Sequence, residues 1–215
     1  SDTVTLPTDS MFSAINQASL GDDVYEEDSS TIELEKLAAS ITGKDSGLLV
    51  SSGTMGNLIS NMVHCPRGTE SIMGDKSHTF LYESGAISSY GGIHSHQLKN
   101  NEDGTIEIGE IKNAIRAEDV HFPVTSLICL ENTHNKCHGH PLQIDYINKV
   151  CSLAHDNNIK VHMDGARLFN ACAALNVSVD DIVKNVDSVT FCLSKGLSAP
   201  IGSVVCGSND FIAEA

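Results

Sequence analysis

Lys195 occupies an unusual place for a lysine. In DSVTFCLSKGLSAPIGSVVCG (187–207) it lies between two apolar runs, flanked by Ser194 and Gly196. Small neighbours give its stem little apolar surface along which to carry the charge to water. The amine must therefore hold a charge, meet an anion or be bonded to something. Asp164 stands in a matching place, directly after IKVHM (159–163). Two such residues at the ends of buried strands form either a buried ion pair or a pair of reacting groups. SSGTMGN (51–57) adds a third element, a turn from a strand into a helix. There Gly53 permits close approach of the backbone, Thr54 offers a hydroxyl, and the helix N-terminus presents N–H groups to an anion. By itself the same stretch reads equally as a tight turn. It is neither GxGxxG nor a loop ending in GK[ST], so dinucleotide and triphosphate binding are not supported. His78, in DKSHTF, follows the run SIMGD and is placed to stack on a flat ring, to transfer a proton, or simply to open a helix. HNKCHGH (134–140) holds zinc-type ligands, but their spacing within one loop and the lack of a second cluster fit no standard zinc site. No metal is expected.

An anion cradle, a strand-end aspartate, a strand-end lysine and a histidine are together the parts that pyridoxal phosphate (PLP) requires. The lysine would form a Schiff base with the aldehyde, and the aspartate would keep the pyridine nitrogen protonated.

Elements that could position these groups alternate along the chain. Helical periodicity covers 31–43, with Thr31 as cap and Gly43 as stop. A short strand over 47–50 leads into a helix over about 54–64. Further strands are expected at 70–75, 126–132, 159–167 (running into a loop), 186–196 and 203–207, and further helices at 108–116, 142–158 and 177–185. The segment 78–91 starts helical and ends at glycine, and 99–106 is rich in turns. Such alternation predicts an α/β fold with a mostly parallel sheet covered by helices on both faces. Ligands in these folds sit past the carboxyl ends of the strands, which is where Lys195 and Asp164 fall.

Bulk properties narrow the function. The 215 residues are 40% hydrophobic, enough for a sizeable core, yet only 5% aromatic and without tryptophan. The net charge of −15 repels phosphate backbones and anionic membranes, so neither nucleic acid nor membrane is expected as a partner. Seven widely spaced cysteines, odd in number and without CxxC, read as reduced, mostly buried thiols in a cytoplasmic protein. No apolar run approaches the ~18 residues that a membrane helix requires.

Seven segments, in order along the whole chain, carry a family resemblance: SDTVTLPT (1–8), GDDVYEED (21–28), SSGTMGN (51–57), SHTF (77–80), ENTHN (131–135), HMDGARLFNA (162–171) and CLSKGLSAPIGSVV (192–205). The chain resembles the L-threonine aldolases, PLP enzymes of the aspartate aminotransferase type of fold. The resemblance implies that Lys195 is the Schiff-base lysine and that Asp164 pairs with the pyridine nitrogen. It places Arg167 near the cofactor hydroxyl and the substrate carboxylate. Gly53 and Thr54 match the phosphate cradle, and His78 the histidine stacked on the cofactor ring. Ser1 matches a serine on the substrate carboxylate, and His134 a histidine near the substrate hydroxyl. His78, His134 or a water they orient would be the catalytic base. Tyr25 falls in a loop near the active site at a subunit interface, although EEDSST replaces the family's Gly- and Pro-containing continuation.

The implied substrate is a small amino acid, cleaved at Cα–Cβ to glycine and acetaldehyde. The implied assembly is a homodimer or homotetramer. Family members also carry a C-terminal small domain with further carboxylate-binding arginines. The chain ends at FIAEA, so residues 1–215 are expected to form the PLP-binding large domain with the small domain largely absent. Two other readings stay open: a related PLP aldolase or β-eliminating lyase, and a non-catalytic remnant of the fold.

Overall fold

The structure, a computed structural model, describes residues 3–215. Its strands are β1 (Ser46–Val50), β2 (Glu70–Gly74), β3 (His94–Leu98), β4 (Thr125–Glu131), β5 (Lys160–Asp164), β6 (Ser188–Cys192) and β7 (Ser203–Gly207). They form one seven-stranded sheet in the order β1-β7-β6-β5-β4-β2-β3. The pairs from β3 across to β6 are parallel, whereas β7 runs antiparallel to both β6 and β1. The helices are α1 (Asp9–Gln17), α2 (Ser29–Thr42), α3 (Gly53–His64), α4 (His78–Leu81), α5 (Ala86–Ser89), α6 (Ile108–Ala114), α7 (Ile144–Asp156), α8 (Leu168–Leu175), α9 (Val179–Val183) and α10 (Asn209–Glu214). The expected α/β architecture with a mostly parallel sheet is present.

Strand side chains alternate between faces, and here the two faces differ in chemistry. Ile128 and Leu130 of β4, Val161 and Met163 of β5, and Val189 and Phe191 of β6 enter one apolar core. Ile147, Val150 and Ala154 of α7, with Ile182 and Val183 of α9, close that core from outside. The alternate residues, Cys129 and Glu131, His162 and Asp164, Ser188 and Thr190, are also buried, but on the face that α3 covers. Seven free cysteines are all buried, as their spacing suggested. Among the described residues no helix is long and apolar enough to cross a membrane.

Several local expectations change. The cap of α2 is Asp28, whose Oδ1 accepts from the Thr31 N–H at 3.0 Å, so Thr31 lies inside the helix. An aspartate three residues earlier satisfies the same free donor. The segment 78–91 is two short helices, separated by Ser84 and Gly85 at positive φ. The expected helix over 108–116 ends at Ala114, and the one over 177–185 covers only Val179–Val183. Helices α1, α8 and α10 and the edge strand β3, HSHQL, are additional. An edge strand with little apolar content gives no alternation to read.

Candidate active site

The end of the sheet where the parallel strands finish opens on a cleft of about 380 Å³. The local sequence explains how each group arrives there. In β5 the apolar residues Val161 and Met163 fix the register, so Asp164 emerges at the strand end on the α3 face, beside Glu131 of β4 and Thr190 of β6. Gly165 then turns the chain. A Cβ there would stand 2.8 Å from the Thr190 carbonyl oxygen, so only glycine fits. Ala166 N donates to Asp164 Oδ1 at 3.0 Å, which holds the carboxylate against its own turn. Arg167 follows as the N-cap of α8 and lines the cleft.

Lys195 lies three residues beyond β6, in a loop held at several points. Leu193 N donates to Gly202 O at 3.0 Å, and Ala199 N to Leu193 O at 2.9 Å. Thr5 Oγ1 donates to the Lys195 carbonyl at 2.8 Å, so the N-terminal arm also fastens the loop. Across the cleft, β1 ends at Val50 and α3 begins at Gly53 under the Ser52 cap, whose Oγ accepts from Met55 N at 3.2 Å. A Cβ on Gly53 would meet Cys192 Sγ at 3.1 Å, so the backbone here packs closely against β6.

His78 sits at the first turn of α4. Its N–H donates to Glu131 Oε2 at 2.7 Å, and its Nδ1 lies 3.0 Å from Glu83 Oε1. The hydrogen bond to Glu83 raises the basicity of the His78 ring. Burial pushes Glu83 up, and its Oε2 is buried without a hydrogen-bond partner. Burial and the neighbouring Asp164 push Glu131 up to about 7. Asn57 of α3 joins the group, donating from Nδ2 to both Glu83 Oε1 and Asp164 Oδ2 at 2.9 Å.

Six residues singled out from the sequence, Gly53, Thr54, His78, Asp164, Arg167 and Lys195, therefore line one cleft. His134 does not line it. Its ring is 1% exposed in a small cavity behind Glu131, with neither ring nitrogen hydrogen-bonded, and burial lowers it to about 4. Ser1 lies outside the described residues. Tyr25 is exposed at the end of a 3-10 turn, Asp23–Tyr25. Among the described residues, the one group of three metal-type ligand atoms within 4.8 Å is His78, Glu83 and Asp164. These atoms are already tied together by His78 and Asn57 hydrogen bonds.

Sequence reasoning missed Asn57, Glu83 and Glu131. Glu131 was within reach, since it ends a strand as Asp164 does and pairs with it in register.

A lysine amine, a carboxylate and a helix N-terminus converge past the ends of the parallel strands of an α/β fold. The chain belongs to the β-eliminating lyase family, whose model matches residues 1–215. It is 51% identical over its whole length to low-specificity L-threonine aldolase 1 of Arabidopsis thaliana and 38% identical to low specificity L-threonine aldolase of Escherichia coli strain K12. It spans 61% and 64% of those two proteins. The threonine aldolase of Leishmania major shares the fold, with a TM-score of 0.84 at 19% identity over 98% of this chain and 62% of that one.

Proposed function

We propose that the intact protein is a PLP-dependent aldehyde-lyase that cleaves L-threonine and L-allo-threonine to glycine and acetaldehyde, with residues 1–215 as its cofactor-binding large domain. The observation that carries this reading is the meeting of Lys195, Asp164, Arg167, His78, Gly53 and Thr54 in one cleft. The names of the relatives supply the substrate. Bound PLP supplies the electron sink that cleavage of Cα–Cβ needs.

The residues present suit that group. A cleft of about 380 Å³ falls in the usual range for small ligands. The Gly53–Thr54 turn at the N-terminus of α3 would hold the phosphate through backbone N–H groups and a hydroxyl. The Lys195 amine would hold the aldehyde carbon. Among the described residues, Asp164 Oδ1 accepts from Ala166 N and Oδ2 from Asn57 Nδ2, and a carboxylate oxygen has a further lone pair that would serve the ring nitrogen.

His78 is the residue that moves the proton. Its Nδ1 is committed to Glu83, which leaves Nε2 to take the substrate β-hydroxyl proton and the Glu83 carboxylate to stabilise the charge that results. His134, enclosed behind Glu131, is less well placed for that step. Arg167 offers a planar fork to the substrate carboxylate, and holding that carboxylate selects the bond to be broken. The whole protein acts as a cytoplasmic homo-oligomer, a dimer or tetramer.

The family's description favours one second reading, β-elimination, which uses the same residues. Product analysis of the purified protein separates the two. Acetaldehyde and glycine from threonine are expected; pyruvate or 2-oxobutyrate with ammonia, and no aldehyde, would overturn the aldolase reading.

A further inference from the structure

Behind the cleft, the polar face of the sheet carries a hydrogen-bond chain that the chemistry above leaves unused. It begins at Asn57, which is 1% exposed and commits both amide hydrogens, one to Glu83 Oε1 and one to Asp164 Oδ2, each at 2.9 Å. Asn57 Oδ1 is therefore an acceptor, and it faces His162 Nε2 at 3.1 Å. A neutral imidazole has one N–H, so Nε2 carries it and Nδ1 accepts. The donor to Nδ1 is Ser188 Oγ at 2.8 Å. The single Ser188 proton is then committed, so Oγ accepts from His64 Nε2 at 2.8 Å. Burial lowers His162 to about 3 and His64 to about 4, which keeps both rings neutral. Each assignment follows from the one before, and every donor points towards the two carboxylates.

We propose that Asn57 is the positioning residue for Glu83 and Asp164, and that His162, Ser188 and His64 latch its amide in the only orientation that serves both. Turned over, the amide would set its oxygen against two carboxylates and its N–H groups against the His162 N–H. The proposal rests on the reading of Asp164 as the partner of the PLP ring nitrogen. In that role Asn57, although it lines the cleft, is assigned no bond to cofactor or substrate and acts by fixing Asp164 and, through Glu83, His78.

Two measurements test it. In the 15N-histidine-labelled intact protein without cofactor, long-range 1H–15N spectra near pH 7 should show His162 and His64 neutral with the proton on Nε2. A proton on His162 Nδ1, or a charged ring, would overturn the latch without any variant. The second measurement is the affinity for pyridoxal phosphate by absorbance titration. Asn57→Leu removes both donors and should weaken binding about 10- to 100-fold. His162→Leu should weaken it about 10-fold, and His162→Gln, which returns an N–H donor near the place of Nε2, should recover binding to within about threefold of the native protein. Native affinity in Asn57→Leu, or no difference between His162→Leu and His162→Gln, would overturn the proposal. Asp164→Asn in the same titration separates the two layers. Native affinity in that variant would sink the site reading and this inference with it. Weak binding there beside native binding in Asn57→Leu would sink the positioning role alone. If a variant fails to fold, the histidine spectra of the native protein decide.

Discussion

The two faces of the central sheet are made by the same three strands and do opposite things. From β4, β5 and β6, Ile128, Leu130, Val161, Met163, Val189 and Phe191 build a dry core. Their immediate neighbours in sequence, Glu131, His162, Asp164, Ser188 and Thr190, are equally buried but polar. Burying a polar group costs free energy unless its hydrogen bonds are met, and most of the polar face meets them with its own network. Thr190 Oγ1 is an exception. The comparison teaches that stability and chemistry are divided by the pleat: one residue's step along a strand passes from packing to site.

The largest expected effect lies on the polar side. Lys195→Ala should abolish visible cofactor absorbance and threonine cleavage together, a loss of several orders of magnitude, while unfolding in urea changes little. A variant turning over threonine at the native rate would remove the lysine from the mechanism. Asp164→Ala should keep some cofactor yet lose about 100-fold or more in rate.

On the apolar side, Ile128→Ala should cost about 2–5 kcal/mol in urea unfolding and leave cofactor affinity close to native. The reverse pattern, native stability with lost affinity, would erase the division between the faces. Gly56→Ala probes the layer between α3 and the sheet. Its Cβ would stand 2.7 Å from Thr190 Cγ2 and 3.0 Å from Val205 Cγ2. The helix should shift at a cost of about 1–3 kcal/mol, and Asn57 should move with it.

Smaller effects come from titration. Burial raises Glu131 from an ordinary 4.5 to about 7, so the unfolded chain releases this proton at lower pH than the folded one. Rising pH between those two values therefore favours unfolding. His78, raised by Glu83, adds stability that is complete below its ordinary 6.5 and is lost as pH climbs through its raised value. Denaturation midpoints measured across this range should decline with pH in the native protein, and the decline should flatten in Glu131→Gln. The smallest change is Thr190→Val. It deletes a buried hydroxyl without a partner, so stability should stay level or rise by about 1 kcal/mol. A clear loss would mean that this hydroxyl is satisfied in solution.

Much of this was legible because strand ends are conspicuous. Lys195 and Asp164 each break an apolar run, and Gly53 breaks another, so the rule that ligands sit past parallel strand ends gathered them correctly. What sequence did not show is reach. Glu83 falls in a short two-helix segment whose path depends on Ser84 and Gly85 at positive φ. Asn57 sits inside an otherwise ordinary helix, and its importance comes from three partners at sequence distances of 26, 105 and 107. His134 shows the converse: a ligand-type residue in a conspicuous motif that the fold turns inward. The edge strand β3 and the antiparallel direction of β7 were hidden, the latter because direction and pairing belong to the whole sheet, not to a local pattern.

The bond from Thr5 to the carbonyl of Lys195 joins positions 190 apart. During synthesis the arm leaves the ribosome before any strand of the sheet, and it must wait until β6 has followed before that clasp can close. The cleft can thus be completed only after β6 has emerged, and a nascent chain halted before residue 195 lacks both the amine and its fastening.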